Sequence, residues 1–298
     1  MLKIENLRME FGNLVAVDDL SFQLDTGEIL GLLGANGAGK TTTFRIILGI
    51  LKQTSGEVQY NGEHIDLNKS SEIGFLVEER ALLTKYTVYQ QLKFFADLKG
   101  MNKNKVDEKI DYWLKHFSLS DKKNSKIKQL SKGNQQKIQF ISAIIHEPKL
   151  IILDEPFSGL DPFNINLFKK TILELKEKGC CIIFSSHRLD HVEFFCENII
   201  VLVEGKAVLR GNIIDLKKES GINKVKIISE IPIVELKKLE YVSSVEEVGD
   251  FKEVYLSNID NLNSLFDVIK KYSCSHFALE LPSLEEVFIK KVGIKYEA

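Results

Sequence analysis

The residues from Gly34 to Thr42, reading Gly-Ala-Asn-Gly-Ala-Gly-Lys-Thr-Thr, have the types and spacing that hold phosphate. Gly34, Gly37 and Gly39 let main-chain N–H groups approach phosphate oxygens without a side-chain clash. Lys40 adds a point charge within reach of terminal phosphates, and Thr41 offers a hydroxyl to a magnesium ion. The flanks supply what such a loop needs. The apolar run from Ile29 to Leu33, bounded by the turn Asp25-Thr26-Gly27, predicts a strand buried on both faces, and Phe44, Ile47, Leu48 and Leu51 recur at helical spacing. A strand, a glycine loop and a helix N-terminus direct unpaired N–H groups and the positive end of the helix dipole at one point.

Other candidate groups stand just after short apolar runs. Leu150 to Leu153 ends in Asp154-Glu155, where one carboxylate can hold magnesium and the second can orient or deprotonate an attacking water; an ordinary acidic turn is the alternative. Cys181 to Phe184 ends in Ser185-Ser186-His187, which puts His187 at the same kind of strand edge as Asp154, although a lone histidine is usually structural. Ile73 to Val77 ends in Glu78-Glu79-Arg80, a charged loop or a set of ligand-facing groups. Phe11, ahead of the phosphate loop, is either a core aromatic of a β-rich segment or a platform on which a base stacks.

The elements that must position these groups are legible in outline. Residues 2–24 cluster apolar residues in short runs separated by turn signals, an antiparallel strand group. Asn61-Gly62 turns a hairpin between Gly56–Tyr60 and Glu63–Ile65. Val88 to His116 carries two amphipathic helices, and Ser131 is an N-cap for a helix through Ile145. Pro162 sits in the first turn of the next helix, and Glu204-Gly205 joins two strands. From Leu216 to Asn223 the chain becomes charged and loses periodicity, which sets a domain boundary after residue 215. Residues 216–298 then read βαββαβ, the order of a ferredoxin-like split unit. The expected fold is α/β, a P-loop NTPase core with an antiparallel β subdomain and a helical subdomain over about 82–148, followed by a small α+β domain.

Composition narrows the classes. A chain of 298 residues with 44% hydrophobic and 28% charged residues holds two domains with ample cores. A formal net charge of -2 gives no global basic field, so no nucleic acid is expected as a partner, and the lysines between Asp121 and Lys132 read as a solvated face. Cys180, Cys181, Cys196 and Cys274 lack metal-site spacing and read as free thiols of a reducing compartment. No apolar run approaches the roughly 18 residues of a membrane span, and the first residues show no signal-peptide pattern.

In this order the motifs resemble those of the ATP-binding subunit of an ABC transporter, across nearly the whole of the first 215 residues. The resemblance makes Gly34–Thr42 the Walker A loop, Leu150–Glu155 the Walker B strand, Ser158–Asp161 the D-loop and His187 the switch histidine. It makes Leu130–Asn134 the signature sequence that distinguishes this family from other phosphate-loop enzymes. It implies that ATP is bound through Asn36, Gly37, Ala38, Gly39, Lys40, Thr41 and Thr42, with Phe11 stacked on adenine, and that Mg2+ is held by Thr41, Asp154 and Glu78. Lys40, Glu155 and His187 are the implied catalytic groups: phosphate charge, water activation and γ-phosphate contact. Ser131 and Gly133 of a second subunit, paired head to tail, complete the site.

Two departures affect that assignment. The usual signature Leu-Ser-Gly-Gly-Gln has Lys132 for its first glycine and Asn134 for its glutamine, and the glutamine that the family places after the Ile73–Val77 strand is Glu78. A carboxylate there still meets magnesium or a water but sets negative charge toward the γ-phosphate, so altered turnover is expected. Pro282–Val287 resembles the Pro-Ser-Leu-Glu-Glu ending of exporter ATPases. The function so implied is an ATPase that powers an exporter through a separate membrane permease docked at about Glu78–Tyr89. Such a chain sits peripherally on the cytoplasmic face of the membrane; its cargo stays open among peptides, antibiotics, lipids and sodium, with a peptide or antimicrobial compound favoured by the Lys-, Asn- and Ile-rich composition. A soluble ABC-type ATPase not coupled to transport, or an ATP-dependent regulatory module, are the rival readings.

Overall fold

The first unit, Met1–Arg210, runs β1 (Leu2–Phe11), β2 (Leu14–Leu24), β3 (Ile29–Leu33), α1 (Lys40–Ile47), β4 (Ser55–Tyr60), β5 (Glu63–His64) and β6 (Ile73–Leu76). It continues α2 (Val88–Leu98), α3 (Lys103–His116), α4 (Lys132–Ile144), β7 (Leu150–Asp154), α5 (Pro162–Glu177), β8 (Cys181–Ser185), α6 (Leu189–Phe195), β9 (Asn198–Val203) and β10 (Lys206–Asn212). The structure is a computed structural model that describes residues 1–66, 72–79 and 81–293. Arg80 and residues 294–298, which belong to stretches singled out above, lie outside the described residues.

The short apolar runs of residues 2–24 join into two long strands. Asn6 (φ 47°) and Asp19 (φ 52°) absorb the breaks as irregularities in one antiparallel ladder, and the Asn6 side-chain amide donates to Asp19 Oδ1 at 2.9 Å. These strands form a four-stranded sheet in the order β2-β1-β4-β5, and the hairpin turn Asn61-Gly62 has both residues at positive φ (54° and 80°).

The second sheet has the order β10-β9-β3-β8-β7-β6. β9, β3, β8, β7 and β6 pair in parallel. Every residue of β3, β7 and β8 is buried, as continuous apolar runs require. Because these strands are parallel, their C-terminal ends share one edge, and that edge carries Gly34, Val77, Asp154 and Ser185. Helices α2, α3 and α4 open on the side-chain caps Thr87, Asn102 and Ser131. Phe117, Phe140 and Phe168 form a fully buried aromatic cluster, with Phe140 and Phe168 stacked at 4.7 Å.

The second unit begins at Gly211, a few residues ahead of the expected boundary. The charged stretch there is not aperiodic: α7 (Ile213–Glu219) forms because Asn212 caps it, accepting from Ile214 N–H at 2.9 Å, and because Ile213 and Leu216 are buried while the charged residues take the other faces. It is followed by β11 (Asn223–Ser229), α8 (Ile233–Lys237), β12 (Val242–Val248), β13 (Phe251–Leu256), α9 (Leu262–Ile269), β14 (Cys274–Glu280) and α10 (Leu284–Val292). The strands lie antiparallel in the order β12-β13-β11-β14, the arrangement of a split βαβ unit. Val225, Ile227, Val254, Leu256, Leu265 and Ile269 fill its core. The Pro282–Val287 segment has a structural use here. Ser283 and Glu286 form the capping box of α10, and Glu286 also accepts from Tyr255 Oη at 2.6 Å and pairs with Lys224 at 3.1 Å, tying α10 to the sheet.

Candidate functional site

The loop after β3 is shaped by close main-chain approaches. A Cβ on Gly34 would lie 2.6 Å from the Leu202 carbonyl oxygen, and one on Gly39 would lie 2.5 Å from that of Ala16. Gly37, at φ +81°, has no atom within 4 Å of its Cβ position, so this part of the loop faces open space. Gly39 is the N-cap of α1 in a left-handed conformation, and no side chain caps the helix, which leaves its first-turn N–H groups to an anion. Ala38 is buried behind the loop and donates its N–H to Ala35 O at 3.1 Å. Lys40 folds back over the loop, its ammonium donating to Gly34 O and, at 3.2 Å, to Ala35 O. Burial holds the Lys40 ammonium below the usual lysine range, and Asp154, Glu155 and Glu78 oppose that shift.

A cleft of ≈ 620 Å³ opens over this loop. Asn36, Gly37, Gly39, Lys40, Thr41 and Thr42 line it from one side, Glu78 and Asp154 from the strand ends, and Phe11 with Leu14–Ala16 from the antiparallel sheet. Phe11 is 46% exposed, so it is not a core residue and its ring is available to a planar group.

Asp154 is 4% exposed at the end of β7 and accepts from Ser185 Oγ at 2.5 Å. Burial raises its carboxyl above the usual range, the Ser185 bond opposes this, and Glu78 adds to it. Asp154 and Glu78, carboxylates at the strand ends that line the cleft with Lys40, form an oxygen donor set suited to a divalent cation. Glu155, the next residue, has the left-handed φ of 49°. Its Oε1 accepts from His187 N–H at 2.5 Å and its Oε2 lies 2.8 Å from His187 Nδ1. Burial raises the Glu155 carboxyl, and the contacts with His187 pull the other way. Glu155 and His187 therefore form a dyad beside Asp154, outside the residues that line the cleft.

Ser131 and Gly133 are not brought to this cleft. Ser131 is exposed at the N-terminus of α4, its Oγ accepting from Asn134 N–H at 3.3 Å, and the nearest atoms to a Gly133 Cβ belong to Gly159 and Leu160, both at 3.7 Å. Ser185 and the buried glutamines of α4 were not singled out from the sequence. Gln136 donates to Pro156 O at 3.0 Å, next to Glu155, and Gln139 donates to Val77 O at 2.8 Å, next to Glu78. Polar residues three apart on the buried face of a helix are the signal that marks them.

A second cavity, an apolar groove of ≈ 280 Å³, is lined by Leu48, Ile50, Phe75, Val77, Phe95 and Leu98 over a floor that includes Gln91, Gln139 and His146. Burial, then the charge of Lys99, lowers the His146 imidazole to about 4 from the ordinary 6.5. Between those two values the unfolded chain binds a proton that the native chain does not. Stability is thus expected to fall as pH drops from 6.5 toward about 4, by on the order of 2 kcal/mol. In H146L the drop in thermal midpoint between about pH 7 and about pH 5 is expected to shrink by several degrees; an unchanged drop would assign the acid sensitivity elsewhere. His191, by contrast, packs its ring on Phe157 with centroids 4.7 Å apart.

Comparison with known proteins places this geometry. Residues 17–158 match the family model described as "ABC transporter", and residues 211–292 match "ATP-binding protein DrrA1-3-like, C-terminal domain". The chain is 44% identical over 298 residues to the uncharacterized ABC transporter ATP-binding protein YhaQ of Bacillus subtilis, covering 100% of both chains. The chain belongs to the ATP-binding proteins of ABC transporters. It is thereby an ATPase of the P-loop class, and its first unit is an ABC cassette. The linearmycin resistance ATP-binding protein LnrL of Bacillus subtilis is 29% identical over 306 aligned residues and 98% of each chain. A solved ATP-binding subunit of an ABC transporter superposes with a TM-score of 0.70 at 29% identity, over 74% of this chain and 93% of that one. The family match spans the phosphate loop, Ser131, Gly133, Asp154 and Glu155, and leaves Phe11 and His187 outside it. Among the described residues no helix is long and apolar enough to cross a membrane.

Proposed function

We propose that this ABC ATP-binding protein is the hydrolysing subunit of an exporter, working as a head-to-tail pair on a separate membrane permease at the cytoplasmic face. The observation that carries the reading is the division of the catalytic groups. Phosphate loop, Asp154, Glu78 and Phe11 share one cleft, while Ser131 and Gly133 lie outside its lining, with Ser131 exposed; in the proposed pair they complete the cleft of a second subunit.

In the proposed reaction the loop amides and Lys40 hold the β- and γ-phosphates, Phe11 stacks on adenine, and Thr42 lies at the loop's end. Thr41 and Asp154, with Glu78 beside them, would hold Mg2+, which would supply charge neutralisation on the phosphate oxygens. Glu155 accepts a proton from water as the water oxygen bonds to the γ-phosphorus and the bond to the ADP oxygen breaks. His187 contacts both oxygens of Glu155, and in the proposed closed pair it turns toward the γ-phosphate.

For the permease the docking surface is the apolar groove together with the segment from Glu78 to Tyr89, where Leu83 (38%) and Tyr86 (46%) are exposed. A peptide or antimicrobial compound as cargo draws support from the full-length likeness to a linearmycin resistance protein and from the exporter-like ending at Pro282–Val287. Affinity purification from detergent-solubilised membranes is expected to bring down one integral membrane protein in stoichiometric amount. Recovery of the chain with no integral partner would transfer the reading to a soluble ATPase.

A further inference from the structure

Two fully inward-facing glutamines hold the segment that runs between the cleft and the groove. Gln139 of α4 is 5% exposed, and its Nε2 donates to Val77 O at 2.8 Å and to Glu79 O at 3.2 Å, the carbonyls on either side of Glu78. Gln91 of α2 is 0% exposed, and its Oε1 accepts from Leu83 N–H at 2.8 Å. Two carbonyl partners admit only the NH2 end of the Gln139 carboxamide, so its orientation is fixed by chemistry. Gln139 Oε1 and Gln91 Nε2 are left buried without a hydrogen-bond partner among the described residues. Buried amide atoms without partners are costly, and a core built for stability alone favours apolar side chains at such places. The cost is borne at a segment that lines both cavities, with Val77 and Ala81 in the groove and Glu78 in the nucleotide cleft.

We propose that Gln139 is a positioning residue for ATP hydrolysis, its carboxamide fixing the main chain on both sides of Glu78 and thereby setting where the Glu78 carboxylate stands in the nucleotide cleft. The inference rests on the reading that Glu78 faces bound MgATP. A leucine of similar size at 139 leaves the Val77 and Glu79 carbonyls without their shared donor, and a glutamate keeps the shape but turns an acceptor toward them. Neither touches the phosphate loop or the Asp154–Glu155 pair.

The test is a double-mutant cycle on the full chain, read as phosphate release against Mg2+ and ATP concentration. Q139L is expected to raise the Mg2+ concentration for half-maximal turnover about fivefold while KM for ATP stays within about twofold, with Q139E shifting it in the same direction. In a Glu78→Ala background, Q139L is expected to add less than about a twofold change. An equal effect in both backgrounds, or none with Glu78 present, overturns the inference. If Glu78→Ala alone leaves the Mg2+ dependence untouched, the placement of Glu78 at the nucleotide falls as well. If Glu78→Ala shifts it while Q139L acts equally in both backgrounds, only the role of Gln139 falls.

Discussion

Replacing Glu155 by glutamine is expected to lower ATP turnover by about 10³-fold while nucleotide binding is retained, because the substitution removes the proton acceptor and leaves the phosphate loop intact. The retained ATP is expected to accumulate a closed pair of subunits, visible as a dimer in size-exclusion chromatography with ATP and Mg2+. Phosphate release at the wild-type rate in this variant would remove Glu155 as the base. The surroundings of the carboxylate add a pH signature. Burial raises the Glu155 carboxyl above its ordinary 4.5 and His187 counteracts that rise. The base acts only when ionised, so turnover is expected to rise with pH along an acid limb displaced upward from 4.5, and to fall as pH drops through the shifted value.

Substitution of Lys40 by alanine is expected to weaken ATP binding at least about tenfold and to reduce turnover by about 10³-fold, through loss of the one cation that the loop places beside the phosphates. The side chain does more than present charge. Its ammonium bridges Gly34 O and Ala35 O, so its removal also frees the first turn of the loop that the phosphates must meet. Nucleotide titration and phosphate release measure the loss, and a thermal midpoint within a few degrees of wild type separates it from misfolding. Unchanged affinity and turnover would count against the phosphate-loop assignment itself. Burial already holds this ammonium below the usual lysine range, and the nearby carboxylates offset only part of that. A bound triphosphate supplies the negative charge that such a partly buried cation lacks.

The elements that position the site were legible because each rests on local chemistry. A four- or five-residue apolar run, too short for a helix and bounded by turn or polar residues, reads as a strand buried on both faces, and Ile29–Leu33, Leu150–Asp154 and Cys181–Ser185 are such strands. Ser131, Thr87 and Asn102 cap the helices that the apolar spacing predicts. Where local signals were diluted the outline blurred. The bulges at Asn6 and Asp19 broke two long strands into apparent short runs, and charges on the solvent faces of α7 hid a helix held by only Ile213 and Leu216.

By itself the sequence determined the phosphate loop, the carboxylates at the end of a buried strand, the signature departures at Lys132 and Asn134, and the substitution of Glu78 for glutamine, because these depend on residue type and spacing along the chain. Tertiary structure alone decided which of them meet. Parallel pairing of β6, β7, β8 and β3 brought Glu78, Asp154, Ser185 and the loop to one edge, although they are separated by up to about 150 residues of chain, and pairing register is a property of the sheet rather than of any one strand. It also settled that Phe11 stands exposed at the cleft, that His187 engages Glu155, that Ser131 is not among the residues lining the cleft, and that Gln139 reaches across to the Val77 and Glu79 carbonyls on either side of Glu78. Each of those facts is a contact between elements distant in sequence, which spacing along the chain does not encode.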